Sequence, residues 1–307
     1  MNITRTGLAA LSALSLGGLL VMSGCASADP LGGSSGTADD DDTIVVGSQD
    51  YYSNEIIAET YAQALEEADF TVDRQFRIGQ REAYLPEIEA GEIDVFPEYT
   101  GPLLQVWEPD TTARKSDDVY QALQKAVPEG LQVLDQSSTT DEDSYVVTKA
   151  FAKKYGVTSI ADLADVPVPL TLGGNSEGED RPNGPLGLKA SYGVDVAFAP
   201  IEDGGGPLTV KALVDDQVQL AIIYTASPSM SSSDLVALED PAGLFLASHV
   251  VPLASSDLPE DAADIIDRVN AALTPEILVE LNTESVETEA SAATIATAWL
   301  DSIDLEG

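Results

Sequence analysis

From Thr43 onward, short apolar runs alternate with stretches in which apolar residues recur at helical spacing. Ile44-Val45-Val46 is a β-branched run closed by Gly47, and Ile56, Ile57, Thr60, Tyr61, Ala64 and Leu65 then share one helical face behind an expected cap at Ser53. Phe70, Val72, Phe76 and Ile78 occupy even positions, as one face of a strand requires. A helix over 82–90 and a strand over 93–96 complete a strand, helix, strand, helix, strand unit. The alternation continues with a helix over 119–126, strands over 131–134 and 145–148, and a short capped helix at Ser159-Ile160-Ala161-Asp162. Strands over 168–172 and 218–224 follow, after which the strands are expected to stop. Ile265, Ile266, Val269 and Leu273 lie on one helical face, 277–281 continues after Pro275, and 295–300 closes the chain as an amphipathic helix. This order predicts an α/β protein whose mainly parallel sheets carry helices on both faces.

The first forty residues read differently. Arg5 precedes an apolar, small-residue-rich run from Leu8 to Met22, which ends at Ser23-Gly24-Cys25. That is the layout of an export signal over 1–24. Cys25 is the one cysteine in the chain, and its place resembles a lipobox, although Met22 stands where leucine is usual. A lipidated Cys25 is therefore expected as the first residue of the mature protein; the alternative is a signal cut elsewhere and a free thiol. Residues 25–42 include Gly32-Gly33-Ser34-Ser35-Gly36 and four consecutive aspartates, a composition that reads as a flexible tether.

Composition narrows the function classes. The formal charge of −39, from 53 acidic and 14 basic residues, leaves nothing to neutralise phosphates, so nucleic acid is excluded as a partner. With one cysteine and one histidine, His249, there is no material for a disulfide or a His-rich zinc site. His249 sits between apolar flanks, where a buried hydrogen-bonded role competes with a functional one. There is no phosphate loop, and Gly204-Gly205-Gly206 reads as a turn. No catalytic constellation emerges, and neither enzyme nor cofactor is expected.

The segment from Gly47 to Gly101 carries the functional signal: Gly47-Ser48, Ala58-Glu59, Tyr61-Ala62-Gln63-Ala64-Leu65, Gly79 with Arg81-Glu82, Gly91-Glu92-Ile93-Asp94, and Pro97-Glu98-Tyr99-Thr100-Gly101. In order and spacing this resembles the glycine betaine/choline/carnitine-binding proteins of osmoprotectant ABC importers. Weaker matches, among them Arg181 with Asn183-Gly184 and Tyr224-Thr225, extend it over most of the chain. The resemblance implies a two-lobed type II periplasmic-binding fold with the ligand in the interlobe cleft, and a cage of tyrosines around a trimethylammonium group. Electron-rich ring faces attract a permanent cation that has no proton to donate. Tyr99, Tyr145 and Tyr224 match cage positions, and the fourth falls near Ser248 or His249. Gln49 stands where a lysine often follows Gly-Ser, Thr100 belongs to the cage motif, and Pro102 replaces a threonine. Arg181 is then the remaining expected partner for a ligand carboxylate, which leaves glycine betaine, choline and larger betaines all open.

The expected organisation is lobe one from 43 to 143 together with 249–307, and lobe two from 144 to 248. Such a receptor would be a monomer outside the cytoplasm, anchored by lipidated Cys25 and serving a membrane permease. The rival readings are a related receptor for another solute, such as an amino acid or a sulfur-containing betaine, and a lipoprotein that keeps the fold without transport.

Overall fold

The computed structural model describes residues 43–231 and 234–303; the expected signal segment, the tether and Cys25 lie outside the described residues. Two five-stranded sheets form the frame. The first takes β1 (Thr43–Gly47), β2 (Thr71–Gln75), β3 (Val95–Tyr99), β4 (Leu131–Val133) and β10 (Val250–Ser255), in the order β2-β1-β3-β10-β4. The second takes β5 (Asp143–Thr148), β6 (Thr171–Gly174), β7 (Ala197–Pro200), β8 (Leu220–Tyr224) and β9 (Leu235–Ala237), in the order β7-β6-β8-β5-β9. The two orders are equivalent. In each sheet one strand is reversed, β10 in the first and β5 in the second, and pairs antiparallel with both neighbours. The sheets are therefore mixed, with parallel pairing confined to β2-β1-β3 and β7-β6-β8.

Helices cover both faces. α1 (Tyr52–Glu67) and the C-terminal α8 (Glu260–Ala272), α9 (Pro275–Thr288) and α10 (Ala292–Leu300) bury one face of the first sheet through Ile56, Tyr61, Leu65, Ile266, Leu278 and Trp299. α2 (Arg81–Glu89), α3 (Thr100–Trp107) and α4 (Ser116–Ala126) cover the other through Tyr84, Ile88, Leu104 and Leu123. β1 runs between these layers, which is why its apolar residues do not alternate. The second sheet is covered in the same way by α5 (Lys149–Tyr155), α6 (Pro185–Tyr192) and α7 (Pro207–Val214).

Two expectations need correction. Strands do not stop at Tyr224, because β9 and β10 follow. β10 is buried along nearly its whole length, so it shows no alternation, and Pro252 disguises it further. In the sheet Pro252 lies opposite Pro97, so neither strand offers a donor that the other fails to accept. Their carbonyls are used elsewhere: Pro252 O accepts from Leu134 N at 3.0 Å and Pro97 O from Asn54 Nδ2 at 2.8 Å. Ser53, the expected cap, lies inside α1; Tyr51 is the capping position and Ser53 Oγ donates to Asp141 instead. The Ser159 segment is a single 3₁₀ helix, Ile160–Asp165, with Asp162 Oδ2 accepting from Ser159 N at 2.8 Å.

The chain passes between the sheets twice, from β4 to β5 and from β9 to β10. The crossing segments touch at an antiparallel bridge between Thr140 and His249, with Val250 N donating to Thr139 O at 3.0 Å.

Candidate ligand-binding cleft

In an open α/β sheet, ligands gather beyond the carboxyl ends of the parallel strands. Here those ends carry Gln49 and Tyr51 after β1, Tyr99 at the end of β3 and Tyr224 at the end of β8. Because β5 runs the opposite way, its start brings Asp141 and Asp143 to the same place. These six residues, with Gln80, Arg81, Pro102 and Arg181, enclose a space of about 30 Å³. It shares Asp143, Arg181 and Tyr224 with a neighbouring space of about 20 Å³, and Arg81, Pro102, Asp143 and Arg181 with a larger one of about 230 Å³. Together they form one cleft between the lobes. A depression of about 600 Å³ beside α4, lined by Glu108, Asp110 and Lys125, shares no residue with it.

The rings of Tyr51, Tyr99 and Tyr224 converge on the floor of this cleft. Tyr51 and Tyr224 lie 5.1 Å apart between centroids and are tilted at 46°. The Tyr51 hydroxyl donates to the Tyr99 hydroxyl. Burial raises the pKa of all three phenols, so they stay neutral at physiological pH. Tyr51 reaches Tyr224 because Gly204, opposite it, has no side chain: a Cβ there would sit 2.9 Å from Tyr51 Cβ, and its φ of +61° suits glycine.

A buried ion pair fixes the first-lobe wall. Arg81 donates from Nε to Glu98 Oε1 and from Nη2 to Glu98 Oε2, both at 2.8 Å. Tyr84 Oη donates to Oε1 at 2.6 Å and Tyr99 N to Oε2 at 2.8 Å, so the carboxylate accepts four bonds. Across the cleft, Arg181 of the second lobe pairs with Glu82 of the first, at 2.8 Å from Nη2 and 3.1 Å from Nε. Burial pushes Asp141 up to about 7, against the opposing effect of hydrogen bonds from Ala226 N and Ser53 Oγ. Burial also raises Asp143, opposed by the nearby charges of Arg181 and Arg81 and by Asn183 Nδ2, which donates to it at 2.9 Å.

The other expected site residues are placed unevenly. Tyr145 is fully buried in the second lobe, its ring edge-on to Phe245 at 4.9 Å and its hydroxyl donating to Asn183 O. It shares a strand face with Asp143 but lies two residues, roughly 7 Å, further along β5, and its side chain packs on Phe245 and Asn183 without lining the cleft itself. The structure therefore does not bring Tyr145 to the other rings. Tyr51, which the sequence reading did not single out, occupies the place beside Tyr99 and Tyr224 that it assigned to Tyr145. Its signal was available: an aromatic residue just past the end of the first parallel strand. His249 and Thr100 meet each other at the crossing rather than in the cleft. His249 N donates to Thr100 Oγ1 at 3.0 Å, Thr100 N to His249 O at 3.0 Å, and His249 Nδ1 lies 2.9 Å from Ser137 O. Gln49 lines the cleft, and its buried Nε2 has no hydrogen-bond partner among the described residues.

A family model for the substrate-binding domain of an ABC-type glycine betaine transport system, OpuAC, matches residues 42–302. The chain belongs to this family. It is accordingly a solute-binding protein of ABC transport and not an enzyme. The OpuAC fold recurs in solved structures. One, a glycine betaine/carnitine/choline ABC transporter protein, superposes with a TM-score of 0.67 at 20% identity over 84% of this chain and 98% of that one. Lactococcal OpuAC, closed around glycine betaine, gives 0.62 at 14% identity over 85% and 96%. An ABC-transporter choline-binding protein holding choline gives 0.60 at 12% identity over 85% and 89%. At such identities the likeness establishes the fold, and the choice of ligand has to be argued from this chain's own cleft.

Proposed function

We propose that this OpuAC-family chain is an extracytoplasmic receptor that captures a small quaternary-ammonium solute between its lobes and delivers it to the membrane permease of an ABC importer. The observation that carries this reading is the convergence of three tyrosine rings on the interlobe cleft. A trimethylammonium group offers no proton to a hydrogen-bond acceptor, and stacked or tilted ring faces in a water-poor cleft supply the attraction that replaces it. The lobes are taken as 43–143 with 249–307 and 144–248, hinged where Thr140 meets His249, and the receptor acts as a monomer.

Purified protein titrated calorimetrically with choline, glycine betaine, carnitine and a set of amino acids is expected to give one saturable site for at least one quaternary ammonium compound. Saturation by an amino acid alone would favour the rival receptor. Lipidation at Cys25 would hold the protein at the membrane through the tether over 25–42. Supporting this are the apolar run that ends at the only cysteine and the fact that no described helix is long and apolar enough to cross a bilayer. Cys25→Ser should move the protein from the membrane fraction to the soluble one and abolish incorporation of labelled fatty acid. Unchanged fractionation and labelling would remove the anchor from the proposal.

A further inference from the structure

The charges that face the cleft do not suit a zwitterion. A ligand carboxylate would call on one of the two guanidinium groups there, yet each is already matched by a glutamate: Arg81 by Glu98 and Arg181 by Glu82. The two aspartates in the same space, Asp141 and Asp143, have no ion-pair partner among the described residues. Asp143 at least feels both arginines. Asp141 does not. The groups acting on it are Ser53 Oγ from α1, Ala226 N beyond β8, and the carboxylate of Asp143 on its own crossing segment. Its charge in turn acts on the phenols of Tyr51 and Tyr52 at the start of α1, Tyr99 of β3 and Tyr224 of β8. An unpaired carboxylate costs free energy to bury, and a cation entering beside it offsets that cost.

A second observation, independent of the acidic pair, points the same way. The Gln49 side chain lies at the cavity wall, with its residue only 6% exposed and its Nε2 without a hydrogen-bond partner among the described residues. The Gln49 backbone is fixed from behind, since Gln49 N donates to Asn54 Oδ1 at 2.8 Å and Asn54 Nδ2 donates to Pro97 O at 2.8 Å. The pocket therefore offers a free donor suited to a neutral oxygen, together with a free negative charge.

We infer that the cleft selects a choline-type ligand, an organic cation bearing a hydroxyl or other neutral oxygen, over a zwitterionic betaine, with Asp141 as countercharge and Gln49 Nε2 as donor to the oxygen. This rests on the quaternary-ammonium reading above and deepens it. Binding of a cation to the ionised carboxylate has a direction in pH. Asp141 titrates near 7, so choline binding takes up the ionised form and releases a proton from the rest. Affinity should be full above that pH and fall below it.

The test is calorimetry on the whole protein with choline chloride, glycine betaine and tetramethylammonium chloride at pH 8 and pH 6. Choline is expected to bind at least about ten-fold tighter than glycine betaine at pH 8, and to weaken roughly ten-fold at pH 6 as Asp141 is protonated. Asp141→Asn should shrink the choline-to-betaine preference by about ten-fold and flatten the choline pH profile. Gln49→Met should cost choline several-fold more than tetramethylammonium, which has no oxygen. Its ratio of affinities stays readable even if one variant is less stable. Glycine betaine binding as tightly as choline, or Asp141→Asn weakening both ligands alike, overturns the inference while leaving the quaternary-ammonium reading intact. If none of the three ligands binds the parent protein, the reading itself fails and takes the inference with it.

Discussion

Arg81→Ala should destabilise the protein by about 3–5 kcal/mol, because it leaves the Glu98 carboxylate charged, fully buried and short of two hydrogen bonds. The side chains are 9% and 0% exposed respectively, so water cannot replace the guanidinium. In a chain of this size the loss corresponds to a fall in melting temperature of roughly 6–20 °C. The remaining donors to Glu98 are Tyr84 Oη and Tyr99 N, and neither brings a positive charge. Replacing both partners with apolar residues of similar volume, Arg81→Met with Glu98→Leu, should recover much of the loss, since no buried charge then remains. Urea titration of the two variants checks this. A single variant within about 1 kcal/mol of the parent would mean that the pair is solvated in solution, as exposed pairs are.

The same pair shows how far the sequence could be understood. Pro97-Glu98-Tyr99-Thr100-Gly101 was recognisable as a motif, but the reason for its residues was not. Glu98 is there for Arg81, 17 residues upstream on α2. Thr100 is there for His249 across the crossing, and neither residue lines the cleft. Gly101 is there because a Cβ would lie 2.9 Å from the carbonyl oxygens of Ala247 and Leu246. All three reasons depend on long-range contacts that local spacing does not encode.

Where local physics dominates, the elements were legible. β1 has a β-branched run, and α1 and α8 show helical spacing over many residues. α6 and α7 were overlooked although both begin with glycine followed by proline at the first helical position, a start signal in its own right. β10 was hidden by burial on both faces and by Pro252. Tyr145 illustrates a different limit: the sequence shows that it lies near the start of β5, but whether its ring lines the cleft or packs on Asn183 is decided by tertiary packing.

Tyr51, Tyr99 and Tyr224 should each lose about 1–3 kcal/mol of ligand binding when changed to alanine, a weakening of roughly 5- to 150-fold, because the ring face and its apolar area go together. Phenylalanine separates the contributions. Tyr224→Phe keeps the ring and loses no hydrogen bond that the hydroxyl makes among the described residues, so it should bind nearly as well as the parent. Tyr51→Phe removes the donor to the Tyr99 hydroxyl and should cost about 1 kcal/mol through loss of positioning. Tyr145→Ala supplies the contrast. It empties a fully buried site against Phe245 and should reduce stability by about 3–5 kcal/mol, far more than it changes affinity in the folded protein. Paired urea and calorimetric titrations give both quantities for each variant. The cage assignment is lost if Tyr145→Ala abolishes binding at full stability while Tyr51→Ala leaves it untouched. That outcome would mean that the ligand sits deeper in the second lobe, beside Asn183, and that Tyr51 serves only to close the lobes against Gly204.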